Sequence, residues 1–469
     1  MSEQGSARPW LAPSRCSVSR IDPAAAILLA RPADHAVYLV ERGAQLRFMP
    51  GFVAFPGGKV DPGDRDAAAC AARELFEETG ILLGAPAGNY AALRQAVLEG
   101  TQPFPETDTT PLHTVGCLRT PPFSPMRYET TFFVTLLPPE QEPSVWPGEL
   151  QTGRWWRIPE ALDAWERGEL LLSPPTFSIL ELLGDAPCHE WAARLRPALE
   201  AIHARRMPPI WFAPGVQMIP LDAAGLPPTR YTNCFVLGTG PRLLVDPGPI
   251  DPDEQDLLTE TLDPVGIQAI VLTHHHPDHI GAVERLREEW NLPVWAHLET
   301  AIQLAGRVRV DQLLDDGMVL QAGRLRLEMM LTPGHAPGHL AFWEPNLRFL
   351  FAGDLVSPLS SVIIDPEDGD LEHYLTSLHR VRELPMRLLL PSHGPPTTRG
   401  LALIDQALLH RQLREQQLLA AWQAGLRDHR ALALELYRGF PDDTLRLAER
   451  QIESGLIKLR REGRLADER

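Results

Sequence analysis

Lysine is almost absent from this chain: Lys59 and Lys458 are the only two among 469 residues. Arginine carries nearly all the positive charge, and acids outnumber bases 61 to 44, for a formal charge of −17. So acidic a chain repels phosphate backbones at long range, which argues against tight nonspecific nucleic-acid binding. The deficit is uneven, since 12 Arg/Lys face 11 Asp/Glu from Leu401 onward. Few lysines beside many arginines and alanines point to a GC-rich genome rather than to a function. Long hydrophobic runs are missing too. A membrane helix needs ~18 uninterrupted apolar residues, and the best N-terminal stretch, Ala24–Ala30, is stopped by Arg31 and Pro32. The first seventeen residues lack the apolar core of a secretory signal. The five cysteines (Cys16, Cys70, Cys117, Cys188, Cys234) never form a C-x-x-C pair and read as reduced structural thiols. The expectation is a soluble, cytoplasmic protein with no membrane partner.

What is present is an ordinary globular composition, 44% hydrophobic and 22% charged, long enough for two to four domains at roughly 100–200 residues each. Residues 18–185 alternate short apolar runs with Pro- and Gly-rich turns around one helical pattern, Ala67–Thr79, that ends at Gly80. Residues 186–209 hold an amphipathic run closed by Met207-Pro208-Pro209 and read as a linker helix. From 210 to 400 strand-like runs such as Leu243-Leu244-Val245 and Ala269–Leu272 alternate with helices, and residues 401–469 are helical in pattern. With an N-terminal extension over 1–17, this predicts an α/β and α+β multidomain protein.

Two groups of residues carry chemistry. In Arg73-Glu74-Leu75-Phe76-Glu77-Glu78-Thr79-Gly80-Ile81, the three glutamates stand at i, i+3 and i+4, near one face of a helix. Their charges repel unless a cation sits among them, and such hard oxygen ligands suit Mg²⁺ or Mn²⁺. Arg73 is placed to hold Glu77 by an i, i+4 pair. Together with Phe55-Pro56-Gly57-Gly58-Lys59-Val60 upstream, this resembles the Nudix signature, G-x5-E-x7-R-E-U-x-E-E-x-G-U, over residues 18–185. The sequence departs from it twice: the first acid is Asp64, and eight residues rather than seven separate it from Arg73. The resemblance implies an α/β/α sandwich in which a metal held by Glu74, Glu77 and Glu78 assists attack of water on a nucleoside or coenzyme diphosphate, with Glu77 and Glu78 catalytic. Glu149 is a further candidate base. Thr120-Pro121-Pro122, Arg127–Phe133 and Trp155-Trp156 are similar to the Nudix branch that includes peroxisomal coenzyme A diphosphatases.

The second group begins at Thr273-His274-His275-His276-Pro277-Asp278-His279, just after an apolar run, and so in a loop at a strand end. It offers His274, His276, Asp278 and His279 as ligands. His335, Asp354 and His393 each follow another strand-like run and are bracketed by Gly or Pro. Imidazoles with carboxylates are the ligand set of Zn²⁺, with Mn or Fe as alternatives. The order and contexts resemble the metallo-β-lactamase superfamily over about residues 210–400, including Leu244-Val245-Asp246-Pro247-Gly248. That resemblance implies an αββα sandwich holding two metals, one on His274, His276 and His335, the other on Asp278, His279 and His393. Asp354 would bridge them, Asp278 is taken as catalytic, and metal-bound hydroxide would attack an ester, thioester or phosphodiester. His275 reads as a spacer, while His297 and His339 read as supporting groups. Gly334–His339 is similar to the corresponding stretch of glyoxalase II enzymes, which favours a thioester; an acyl-coenzyme A would carry both scissile bonds.

The C-terminal Ser454–Leu465, a basic helix end running into Glu462-Gly463-Arg464, is similar to the small winged-helix domain of the branch containing a mitochondrial endoribonuclease. That similarity makes Lys458, Arg460, Arg461 and Arg464 candidate contacts to RNA or DNA, a reading opposed by the net charge. Single-stranded RNA cleavage is thus the enzymatic alternative. A ligand-sensing Nudix/winged-helix transcription regulator is the alternative of another class, opposed by the intact acids and by the second site.

Overall fold

The computed structural model describes residues 20–86, 88–146, 148–225, 228–262, 266–439 and 444–465; the N-terminal extension 1–17 lies outside them. The chain divides into two compact units, the first ending at Met218 and the second continuing from Ile219.

The first unit is organised by the strand Ile21–Arg31. It runs parallel to Arg127–Leu136, from Ile21↔Arg127 to Ala30↔Leu136, and antiparallel to Ala36–Arg42 and Gly57–Lys59. Val53–Ala54 and His113–Arg119 lie at the two ends of the strand order, and Leu150–Arg157 pairs with Ala36–Arg42. Side chains alternate across a strand, and both faces of this one are apolar, so both need cover. Ala25, Ile27 and Leu29 pack with Cys70, Ala71 and Leu75 of the helix Ala67–Thr79. Ala26, Leu28 and Ala30 pack with Trp191, Leu195 and Leu199 of the helix Trp191–His203. The result is the expected α/β/α sandwich. The segment 186–209 is therefore not a linker: its helix is the second cover of this sheet, with those three side chains fully buried. An amphipathic stripe says that a helix has a partner, not which one.

The second unit contains two sheets. In one, Arg242–Val245, Ile267–Val271, Val294–His297 and Gln312–Leu314 run parallel, and Tyr231–Leu237 joins antiparallel to Arg242–Val245. Beyond it comes Val216–Asp222, within which the division between the units falls. The other sheet follows the order Val319–Ala322, Leu325–Leu331, Leu340–Glu344, Phe349–Gly353, Leu388–Pro391. The sheets meet through side chains such as Phe235 and Phe351, whose rings lie edge to face 5.0 Å apart. Tyr374, Leu378 and Val381 of the helix Leu371–Arg382, with Ile404 of Gly400–Gln423, cover the outer face of the second sheet at Leu350, Ala352 and Leu389. That arrangement is the αββα sandwich.

From Gly400 the described residues include the helices Gly400–Gln423, His429–Leu436 and Leu445–Arg461, sharing a core of Leu418, Trp422, Leu432, Ile452, Leu456 and Leu459. Among the described residues of this segment there is no strand, so the wing of a winged helix is not found there. No helix among the described residues is long and apolar enough to cross a membrane.

Candidate metal centre

In both sheets of the second unit, short buried strands end in loops that bear ligands. Asp246 follows Val245 and the run Thr273–His279 follows Val271; His335 lies beyond Leu331, Asp354 follows Gly353, and His393 follows Pro391. The loops beyond the carboxyl ends of strands are where α/β sheets gather ligands.

Protons settle the character of this cluster. His279 Nδ1 donates to Asp246 at 2.9 Å, His335 Nδ1 to the Ile363 carbonyl at 2.8 Å, and His393 Nδ1 to the Tyr231 carbonyl at 2.8 Å. His276 Nε2 donates to Asp368 at 2.7 Å. Thr273 Oγ1 gives its proton to Asp246 at 2.6 Å and so accepts from His274 Nδ1 at 3.0 Å. In its neutral form each imidazole thus spends its proton outward, and its other nitrogen presents a lone pair inward. His274 Nε2 and His276 Nδ1 face each other 3.0 Å apart in this way. His279 Nε2, His335 Nε2 and Asp354 Oδ1 are buried and have no hydrogen-bond partner. Lone pairs that converge are costly unless a cation occupies the point they share.

The distances group the ligand atoms. His274, His276 and His335 form one set and Asp278, His279 and His393 another, with ligand atoms within 4.8 Å in each. Asp354 lies between them, 3.4 Å from His335 Nε2, 3.4 Å from His279 Nε2 and 3.3 Å from His393 Nε2. Burial alone would raise Asp354, yet the His393 and His279 rings hold it well below the usual carboxylate range. Burial, reinforced by the His276 ring, pushes His335 down to about 4. His279 goes the other way: burial would lower it, but the carboxylates of Asp354, Asp246 and Asp278 raise it well above the ordinary value. All seven residues singled out from the sequence come together, and the donor set fits divalent transition metals.

Two supporting groups were given no role from the sequence, though one of them, Asp246, lies in the motif Leu244-Val245-Asp246-Pro247-Gly248. Asp246 is 1% exposed and accepts from the Thr273 N–H (2.8 Å), the Thr273 hydroxyl and His279. Its context, an apolar run ending in Val245-Asp246-Pro247-Gly248, is the same as that of Asp354, and was its only signal. Asp368 binds His276 and lies 3.3 Å from His275 Nε2; nothing around it in the sequence sets it apart. His275 therefore leans on Asp368 rather than into the centre. His339 lies 2.8 Å from Thr332 Oγ1 through Nδ1 and accepts the Asp354 N–H through Nε2 at 2.9 Å, a supporting role as read from the sequence.

In the first unit, Asp66 caps the helix Ala67–Thr79 by accepting from Ala69 N–H, and Gly80, at φ 77°, ends it. The extra residue in the preceding loop does not displace Asp64. Both its oxygens take the Arg73 guanidinium, at 3.0 and 2.9 Å. Arg73 Nη1 also donates to Glu74 at 2.9 Å and to Glu77 at 3.0 Å, the i, i+4 pair included. Glu78 instead accepts the Gly57 N–H at 2.8 Å. The three glutamates therefore share one helix face without converging on a single point. Burial raises Glu74 to about 7, with Glu77 and Glu149 adding to it against Arg73. Burial and the neighbouring Glu74 raise Glu78 to about 8. The influence of Glu149 on both places that acid near the cluster. Gly58 lets the loop approach closely: a Cβ there would fall 2.4 Å from the Glu74 carboxyl. A separate, more exposed grouping of Cys117, Glu129 and His203 has its carboxylate already engaged by Arg119.

A family model for the metallo-beta-lactamase superfamily matches residues 227–393, and one for the NUDIX domain matches residues 20–172. A Bacillus subtilis protein, "Probable metallo-hydrolase YqgX", is 30% identical over 189 residues, 36% of this chain and 88% of that protein. The chain belongs to the metallo-beta-lactamase superfamily. It carries that domain behind a Nudix domain, and both are families of hydrolases. It is also 35% identical over 146 residues to a hydroxyacylglutathione hydrolase from Bdellovibrio bacteriovorus, 31% of this chain and 55% of that protein. An atrochrysone carboxyl ACP thioesterase from Aspergillus fumigatus is 29% identical over 206 residues, 43% of this chain and 62% of that protein. The chain spans less than two thirds of the length of these last two relatives.

Proposed function

We propose that this chain is a metal-dependent hydrolase with a binuclear centre in its metallo-β-lactamase domain. His274, His276 and His335 would hold one metal, Asp278, His279 and His393 the other, and Asp354 both. The observation that carries this reading is the set of inward lone pairs, each fixed by an outward proton. Bound divalent metals supply Lewis-acid polarisation and bring the pKa of water to ~7. The chain's residues do the rest. Asp246, Tyr231, Ile363, Thr273 and Asp368 fix the tautomer and angle of every ring, and Asp278 adds the carboxylate on which the second set depends. Zn²⁺ suits these donors, with Mn or Fe as alternatives.

The bond cleaved is an ester, thioester or phosphodiester in a small molecule. The thioester is favoured, because an acyl carrier thioesterase and a hydroxyacylglutathione hydrolase are among the relatives of this domain. In the Nudix domain, Glu74, Glu77 and Glu78 would hold Mg²⁺ or Mn²⁺, with Glu77 and Glu78 serving hydrolysis of a nucleoside or coenzyme diphosphate. Three part-buried acids, each raised by desolvation and by neighbouring carboxylates, are relieved when a cation joins them.

The endoribonuclease and regulator readings gain no support from the C-terminal helices. Lys458 is bound to Glu415 at 2.6 Å and Glu462 at 2.5 Å. Arg461 binds Asp370, Arg464 binds Glu415, and Arg460 lies over the Trp422 ring. The four residues singled out as nucleic-acid contacts are thus engaged within the fold. Metal analysis of the purified protein, followed by a chromogenic phosphodiester, an acyl thioester, coenzyme A and single-stranded RNA, tests the whole reading. Two transition metals per chain and thioester cleavage are expected. A preparation that holds no metal, and gains no activity from Zn²⁺, Mn²⁺ or Fe²⁺, overturns it.

A further inference from the structure

The loop between the strand Phe349–Gly353 and the helix Leu371–Arg382 is held from two sides. On one side it touches the metal centre: the Ile363 carbonyl takes the proton of His335, and Asp368 takes that of His276. The other side belongs to the C-terminal helices. Arg450 grips Asp365 with two bonds, 2.5 and 3.1 Å, and Glu367 at 2.9 Å. Gln451 Nε2 donates to the Ile364 carbonyl at 3.0 Å, and its Oε1 accepts from Arg411 at 2.7 Å. Arg411 also donates to the Val362 carbonyl, and Arg461 to Asp370. Along the loop, residues 362, 364, 365, 367 and 370 are thus fixed by the C-terminal segment, and the two that reach the centre, 363 and 368, lie between them. Of the four acids in Asp365–Asp370, Asp365 and Glu367 share Arg450 and Asp370 takes Arg461, while Asp368 faces His275 and His276.

The rings of the other ligand set are held differently. His279 is fixed by Asp246 and His393 by the Tyr231 carbonyl, both from the sandwich itself. His274, in the first set, is fixed by Thr273. Only His276 and His335 depend on the 362–370 loop, and both belong to the same set.

We propose that the C-terminal helices are a positioning clamp for one of the two metals: through Arg450, Gln451 and Arg411 they hold the 362–370 loop that orients His276 and His335. Arg450 is a positioning residue and reaches no ligand itself. The proposal rests on the binuclear reading above. Groups that orient metal ligands typically contribute 10–100-fold to metal affinity. Loosening this one should weaken a single site.

The test replaces Arg450 by Glu, which sets it against Asp365 and Glu367, and pairs it with the swap Asp365→Arg/Arg450→Glu. Zinc per chain is measured after dialysis against a competing chelator, with the visible spectrum of the Co²⁺-substituted protein as a second readout. The wild type is expected to keep two metals, R450E one, with the weaker site's affinity down ~10-fold or more, and the swap to recover the second metal. Co²⁺ bands from one site should shift while those from the other stay. R450E that keeps both metals at wild-type affinity overturns the clamp and leaves the binuclear reading intact. So does equal weakening of both sites. If R450E does not fold, Gln451→Ala removes one strand of the clamp at lower cost, and the same loss of one metal is expected. A wild type that never holds a second metal overturns the binuclear reading and the clamp with it.

Discussion

Asp246→Asn is the sharpest probe of how the centre is assembled, because it keeps shape and volume while changing one atom's chemistry. Asp246 Oδ1 accepts from the Thr273 N–H at 2.8 Å; Oδ2 accepts from the Thr273 hydroxyl at 2.6 Å and from His279 at 2.9 Å. Asparagine has a single oxygen. Turned toward the Thr273 N–H, it leaves an NH₂ facing the His279 N–H, donor against donor. The ring then escapes only by moving its proton to Nε2, the atom that faces Asp278 and Asp354 at 4.0 and 3.4 Å. A protonated Nε2 cannot bind a metal, so binding must first reverse that tautomer. Losing such an orienting partner typically costs 10–100-fold in affinity, about 1.4–2.8 kcal/mol at 1.4 kcal/mol per decade. The loss should be largest at the Asp278, His279, His393 set, with a smaller one at the other, because the same Oδ2 takes the Thr273 proton on which the orientation of His274 depends. Competition with a chromophoric chelator resolves the two constants in one titration. D246N affinities within about twofold of wild type at both sites would refute the tautomer argument, since an unpaired donor in a fully buried position should not be silent.

Other outcomes follow from the same geometry. Asp278→Ala should lower hydrolysis by the second domain at least ~100-fold in steady-state assays, and His275→Ala far less; equal losses would show that His275 is a ligand. Glu77→Gln with Glu78→Gln should abolish diphosphate cleavage while thioester or phosphodiester cleavage stays within about twofold, ~0.4 kcal/mol, as separate assays on one preparation would show. Glu74 at about 7 and Glu78 at about 8 lie above the unfolded value, so the folded state binds extra protons between about pH 4.5 and 8 and loses stability as pH rises through that window. Mg²⁺ should therefore raise the melting temperature of the Nudix domain more at about pH 8.5 than at about pH 5.5; a pH-independent shift would mean that these acids do not meet the cation. With Lys458, Arg461 and Arg464 paired internally, a mobility-shift titration should show no specific RNA or duplex DNA binding near physiological salt. Retention that Arg461→Ala abolishes would contradict that.

The candidate ligands were legible because metal chemistry restricts residue type and because their loops begin where an apolar run breaks near Gly or Pro. His274, His276, Asp278 and His279 advertise themselves by spacing alone. Glu74, Glu77 and Glu78 do so by helical period, though the period did not reveal that Glu78 turns to the Gly57 N–H while Glu74 and Glu77 share Arg73. What stayed hidden acts across the chain. Asp368 meets His276 over a separation of 92 residues and Arg450 meets Asp365 over 85, and a single acid or arginine carries no local mark of its partner. The same limit left the C-terminal bases open between nucleic-acid contact and packing: a run of positive charge looks available until the acids that neutralise it, at Glu415 and Asp370, are found elsewhere.

The helix Trp191–His203 has a consequence for anyone who would take the protein apart. A truncation after residue 185, where the Pro-rich turns end, would strip Trp191, Leu195 and Leu199 from the core they share with Ala26, Leu28 and Ala30 and open that core to solvent. At ~1.5–3 kcal/mol for each large side chain that loses its burial, such a fragment forfeits roughly what holds a small domain folded. It should be recovered as insoluble material whatever the state of its catalytic acids. Inactivity in that fragment would say nothing about Glu77 or Glu78. A piece carried through Met218, the end of the unit, retains the helix and is the one on which diphosphatase activity can be judged.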